Sequence, residues 1–80
     1  MTDLSSYIMS REIQAIRVGR RLSRIRRAAK YTQRQLGEMI STTHQTIARY
    51  ESGETAIPAL VLQRIAVALN VSLDEFFNEE

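Results

Sequence analysis

Cysteine and tryptophan are absent from this 80-residue chain, histidine and proline occur once each, and glycine occurs three times. Without cysteine there is neither a disulfide nor a thiolate metal site, and the lone His44 cannot assemble an imidazole cluster, so no metal is expected and a reducing cytoplasm suits the protein. Three scattered glycines form no phosphate-cradling loop. No nucleophile has a base beside it and carboxylates are sparse outside the termini, so neither turnover nor a cofactor is expected. The longest nearly uninterrupted apolar run, AIPALVL, falls far short of the roughly 20 residues that span a bilayer. The opening MTDLSSYIMS lacks the basic start and apolar stretch of a secretory signal, and the reading is of a soluble protein with no membrane partner.

What the chain does contain is basic charge in one place. Between Ser10 and Arg34 stand nine bases against the single acid Glu12, whereas Asp74, Glu75, Glu79 and Glu80 follow Arg64 with no further base. A basic segment of this density suits a polyanion, and a solvated helix face is an equal reading on charge alone. Position must decide between them.

Strand-like alternation is absent, and the sequence divides into helix candidates separated by short breaks, an all-α pattern. From about residue 13 to 29, Val18, Leu22, Ile25 and Ala29 recur at spacings of four, three and four and line one stripe, with arginines on the other faces. Thr32 followed by Gln35 forms a capping box for a second helix over about 33–40, with Leu36, Met39 and Ile40 on its inner side. Thr43, with Thr46 behind it, caps a third helix over about 44–51 that ends near Gly53. Only Ser41, Thr42 and Thr43 separate the two, which demands a tight corner. Pro58 suits the first turn of a fourth helix, carrying Val61, Leu62, Ile65, Ala66 and Leu69 and stopping at Asn70. Ser72 caps a last short turn, LDEFF, in which Leu73, Phe76 and Phe77 are expected to close the core. The leading LSSYIMSREIQAI is either an extra helix or an extension of the first.

A helical wheel places Ile47 and Tyr50 close to Thr43 on one edge of the third helix. The opposite arc holds Gln45, Ala48, Arg49 and Ser52, with His44 at its margin. Glutamine pairs bidentately with adenine and arginine with guanine in the major groove, and Ala48 is short enough to let a helix axis approach. Ordinary solvated side chains explain the same wheel equally well.

The stretch TQRQLGEMISTTHQTIARYESG resembles the helix-turn-helix of the lambdoid phage repressor and Cro group, the domain also found in xenobiotic response element regulators. The matching features are Thr32, Gln33, Leu36, Glu38, Thr43, Ile47, Glu51 and Gly53, and the similarity runs from VGRRLSRIRR through LQRIAVALNVSLDEFF. It implies a five-helix lambda-repressor-like domain over residues 15–78. Residues 1–14 then form an additional N-terminal extension with a helical reading, and 79–80 the end of an acidic tail. It further implies a transcriptional regulator, most often a repressor, that binds double-stranded operator DNA as a homodimer with its third helix in the major groove. His44, Gln45 and Arg49 stand where the family reads bases. Gln33 stands where members hold a phosphate, with Arg34, Thr43, Thr46, Thr55 and the arginines of helix one as further candidates. Arg26 and Glu51 fall where such repressors tie helix one to helix three. Ser41 replaces the usual corner glycine, Gly37 occupies the usual alanine site, and Glu54 stands where a base is common. The alternative function is an antitoxin or similar helical module that masks a protein partner. Tyr7, Ile8 and Met9 would offer apolar surface to that partner or to a second copy of the chain, although core packing of an N-terminal helix is the simpler reading of those three.

Overall fold

The helix ends explain how so short a chain turns back on itself three times. The computed structural model describes the backbone of residues 4–78 and the side chains of residues 11–78, and its elements are α1 (Leu4–Ala28), α2 (Gln33–Met39), α3 (His44–Ser52), α4 (Ala59–Leu69) and a closing 3-10 turn (Leu73–Phe76). After α1, Lys30 takes φ +67°, with Tyr31 N–H donating to the carbonyl of Arg26 and Lys30 N–H to that of Arg27. After α2, Ser41 takes φ +62°, and Thr42 N–H and Ser41 N–H donate to the carbonyls of Gly37 and Glu38. After α4, Asn70 takes φ +57°, and Val71 and Asn70 bond back to Ala66 and Val67. All three are the same paired closure, in which a single left-handed residue lets the outgoing chain satisfy the last carbonyls.

The starts are equally specified. Thr32 Oγ1 accepts from Gln35 N–H at 3.0 Å while Gln35 Oε1 accepts from Thr32 N–H at 2.8 Å, so the capping box is complete. Thr43 Oγ1 accepts from Thr46 N–H at 3.2 Å, and Ser72 Oγ from Asp74 N–H at 3.2 Å. Pro58 sits at the cap of α4 rather than inside its first turn.

Leu22, Leu36, Ile47, Ile65 and Phe76 are fully buried and draw in Ile40, Tyr50, Leu62, Ala66 and Leu69. Each such large side chain contributes about 1.5–3 kcal/mol by leaving water, so one small core gathered from every element holds the chain together. Val18, Ile25 and Ala29 pack against its margin, as the stripe on α1 requires.

The architecture is all-α and lambda-repressor-like. Of the two readings of the leading segment, extension of the first helix holds, because α1 runs unbroken from Leu4. One expectation needs correction. The fifth element is a 3-10 turn: Glu75 N–H donates to Ser72 and Phe77 N–H to Asp74, the three-residue spacing that suits a four-residue piece. Within it only Phe76 closes the core, since one turn presents one face, and Leu73 and Phe77 remain exposed, as does Met39 at the end of α2. Tyr7, Ile8 and Met9 have side chains outside the described residues, as do 1–3 and the tail end 79–80 altogether.

Candidate nucleic-acid interface

Everything around α3 serves to hold one of its edges still. Ile47 and Tyr50 are buried beneath it, and Gly37 permits α2 to lie directly against the corner, where a Cβ would come within 2.9 Å of the carbonyl oxygen of Thr42. On the other side a Cβ at Gly19 would run into the carbonyl oxygens of Tyr50 and Glu51, so α1 crosses the last turn of α3 at backbone contact. Gly53, at φ +81°, meets Ile16 in the same crossing. The sequence gives no sign of the Gly19 contact, because a glycine within a helical run reads only as a weak helix former.

A buried charge cluster locks this crossing. Arg26 Nε donates to Glu51 Oε2 at 2.6 Å and its Nη2 to Oε1 at 3.0 Å, while Nη1 donates to the carbonyl of Tyr31 at 2.7 Å. Gln33 Nε2 donates to the same Glu51 Oε1 at 3.0 Å, tying the first residue of α2 to the end of α3. The two charged side chains are 8% and 7% exposed. Burial by itself raises the Glu51 carboxyl. Hydrogen bonds from Arg26 and Gln33, the Arg26 charge and the Ser23 hydroxyl outweigh it and hold the group below its ordinary value. Bidentate pairing of this kind fixes direction as well as distance.

On the outer edge of α3, Gln45 and Arg49 are exposed one turn apart, with Ser52 exposed beyond them and His44 and Ala48 half-buried. Ser52 Oγ donates to the Arg49 carbonyl at 3.1 Å and accepts from Glu54 N–H at 3.2 Å, and Thr55 N–H donates to the same carbonyl at 3.2 Å, which pins the chain leaving the helix. Arg49 Nε lies 3.4 Å from Glu54 Oε2, an exposed pair that spacing rules for helices do not reveal because Gly53 reverses the chain between them.

The remaining candidates are distributed around this edge. Gln33 is half-buried, with one amide hydrogen spent on Glu51 and one left over. Arg34 and Thr55 are exposed. Thr43 and Thr46 adjoin each other, their hydroxyl oxygens 3.1 Å apart, so both also serve the cap. Two arginines of helix one do not join them, because Arg26 is consumed by Glu51 and Tyr31 and Arg21 is buried. Among the described residues no three metal-ligating side chains gather, and no helix is long and apolar enough to cross a membrane.

A short helix set against a preceding one by a tight left-handed corner, its inner edge buried and its outer edge polar, defines a helix-turn-helix. The chain belongs to that family, of the Cro/C1 type, whose model matches residues 22–76. Among its relatives, an uncharacterized HTH-type transcriptional regulator of Sinorhizobium fredii, y4aM, is 41% identical over 64 residues, covering 80% of this chain and 45% of the relative. An uncharacterized HTH-type transcriptional regulator of Rhizobium meliloti is 38% identical over 64 residues, covering 80% and 46%. The HTH-type transcriptional regulator PuuR of Escherichia coli is 34% identical over 61 residues, covering 76% and 33%. The chain thus spans less than half the length of the curated relatives it matches.

Proposed function

We propose that this chain is the sequence-specific DNA-binding part of a transcriptional repressor that acts as a homodimer and lays α3 into the major groove of a roughly palindromic operator. In this reading Gln45 and Arg49 read base edges with His44 beside them, while Gln33, Arg34, Thr43, Thr46 and Thr55 hold the phosphates that flank the groove. The observation that carries it is the rigid outer edge of α3: two exposed side chains suited to bidentate base pairing, one turn apart, on a helix clamped by Ile47, Tyr50 and the Arg26–Glu51 pair. Family membership supports DNA binding independently.

Base readers must be held in register before contact, since a helix free to roll would present different side chains to the same base pair. The charge cluster is suited to that task. The apolar groove lined by Met39, Ile40, Val67, Val71 and Leu73, in which Val67 is 80% exposed, is the surface this reading gives to the second copy.

Selection of bound sites from a random duplex pool tests the proposal. The expected product is a motif of two inverted half-sites, centred about 34–36 Å apart along the duplex, with guanine and adenine at the positions facing Arg49 and Gln45. A pool that enriches no sequence at any salt concentration overturns it.

A further inference from the structure

The charge cluster that clamps α3 also grips the start of α2, on both sides of its cap. Just before Thr32, the carbonyl of Tyr31 accepts from Arg26 Nη1 at 2.7 Å; just after it, Gln33 Nε2 donates to Glu51 Oε1 at 3.0 Å. The same Glu51 oxygen accepts from Arg26 Nη2 at 3.0 Å, so the Gln33 amide ends on a buried ion pair.

This contact settles the orientation of the amide as well as its place. Against the pull of burial, the hydrogen bonds from Arg26 and Gln33 hold the Glu51 carboxyl below its ordinary value, and an ionised carboxylate only accepts. The NH2 end of Gln33 must therefore face Glu51, and only one of its two hydrogens is used there. A glutamine loose in solvent would lose rotamer freedom on meeting a phosphate and could offer it either end of its amide. In this half-buried side chain both choices are made before any ligand arrives. We propose that Glu51 is a positioning residue for the DNA backbone: through Gln33 Nε2 it presents the second amide hydrogen, already oriented, to a phosphate oxygen. The proposal rests on the reading of this chain as a DNA-binding domain. It gives the Arg26–Glu51 pair a share in affinity for every sequence, separate from its hold on α3.

A double-mutant cycle read as affinity for random duplex DNA tests it. Gln33→Ala is expected to weaken binding about tenfold per bound copy, the worth of a hydrogen bond to a charged oxygen. Because glutamine carries no charge, the salt dependence of binding should stay that of the parent. In the Glu51→Gln background the same Gln33→Ala change is expected to cost about twofold or less, while Thr55→Ala costs what it costs in the parent. Additive costs overturn the proposal, as does an equal reduction at Gln33 and Thr55, which would make Glu51 a structural support alone. Should Glu51→Gln fail to fold, the side-chain amide resonances of Gln33 in the unmodified 80-residue chain decide the matter. Duplex is expected to shift one of the two hydrogens and to leave the one bonded to Glu51 in place. A duplex that moves neither, or that releases the bonded hydrogen, refutes the role of Glu51. A parent that binds no duplex removes the DNA-binding reading and this proposal with it, whereas sequence preference retained beside an additive cycle removes this proposal alone.

Discussion

In the proposed reading Arg49 stands between two partners, Glu54 and a base edge. In the free protein its guanidinium lies beside the Glu54 carboxylate, with both side chains more than half exposed. Such a pair contributes at most about 1 kcal/mol and is easily exchanged for a base edge. In the proposed reading Glu54 also places a negative charge where the chain would run along phosphates, which makes its expected net effect on binding unfavourable. Glu54→Gln is expected to tighten binding to cognate and random duplexes alike by about 0.2–1 kcal/mol at low salt, as measured by fluorescence anisotropy. Weaker binding of the variant would show that Glu54 aids contact rather than competing with it.

At the scale of elements, the crossing of α1 over α3 and the corner between α2 and α3 set the aim of the outer edge. Gly19→Ala would gain about 1 kcal/mol of helix propensity, but its methyl meets the backbone carbonyls of Tyr50 and Glu51, which cannot swing aside. Overpacking of this kind costs about 1–3 kcal/mol, so a net loss of stability is expected in urea denaturation, and a more stable variant would contradict the contact. The corner behaves oppositely. Ser41 bears the strain of φ +62°, and Ser41→Gly should stabilise by about 0.5–1 kcal/mol once the added freedom of the unfolded chain is deducted. An unchanged or lower urea midpoint would refute this.

Much of this level was legible in the sequence because it is local. The capping box at Thr32, the cap at Thr43, the stops at Gly53 and Asn70 and the burial of Ile47 and Tyr50 each depend on residues within a turn or two. Ser41 left the corner geometry open, and the left-handed turn is retained with serine in place of glycine. The close approach at Gly37 and Gly19, the link from Gln33 to Glu51 and the exposure of Phe77 depend on how distant segments meet, which no spacing encodes. The Arg26–Glu51 pair, 25 residues apart, was legible only through resemblance to a family.

For the whole molecule, the Arg26–Glu51–Gln33 cluster joins α1, α2 and α3 and makes stability depend on pH. The Glu51 carboxyl is held below its ordinary value of 4.5, so the unfolded chain takes up a proton before the folded one does. Its contribution is therefore complete above pH 4.5 and is lost as pH falls through the folded value. Glu51→Gln should be less stable than its parent at neutral pH, with the gap in urea midpoint narrowing below pH 4.5, whereas a gap constant across the titration would rule out this source.

In the proposed function the same cluster serves to keep the exposed edge of α3 in register. Measuring the affinity of Arg49→Ala for the selected operator and for random duplex DNA at one salt concentration tests that edge most directly. The account predicts a loss of about 1–3 kcal/mol on the operator, with preference relaxed at one base pair of each half-site and little change on random DNA. An equal loss on both would contradict it, reducing Arg49 to one more phosphate contact.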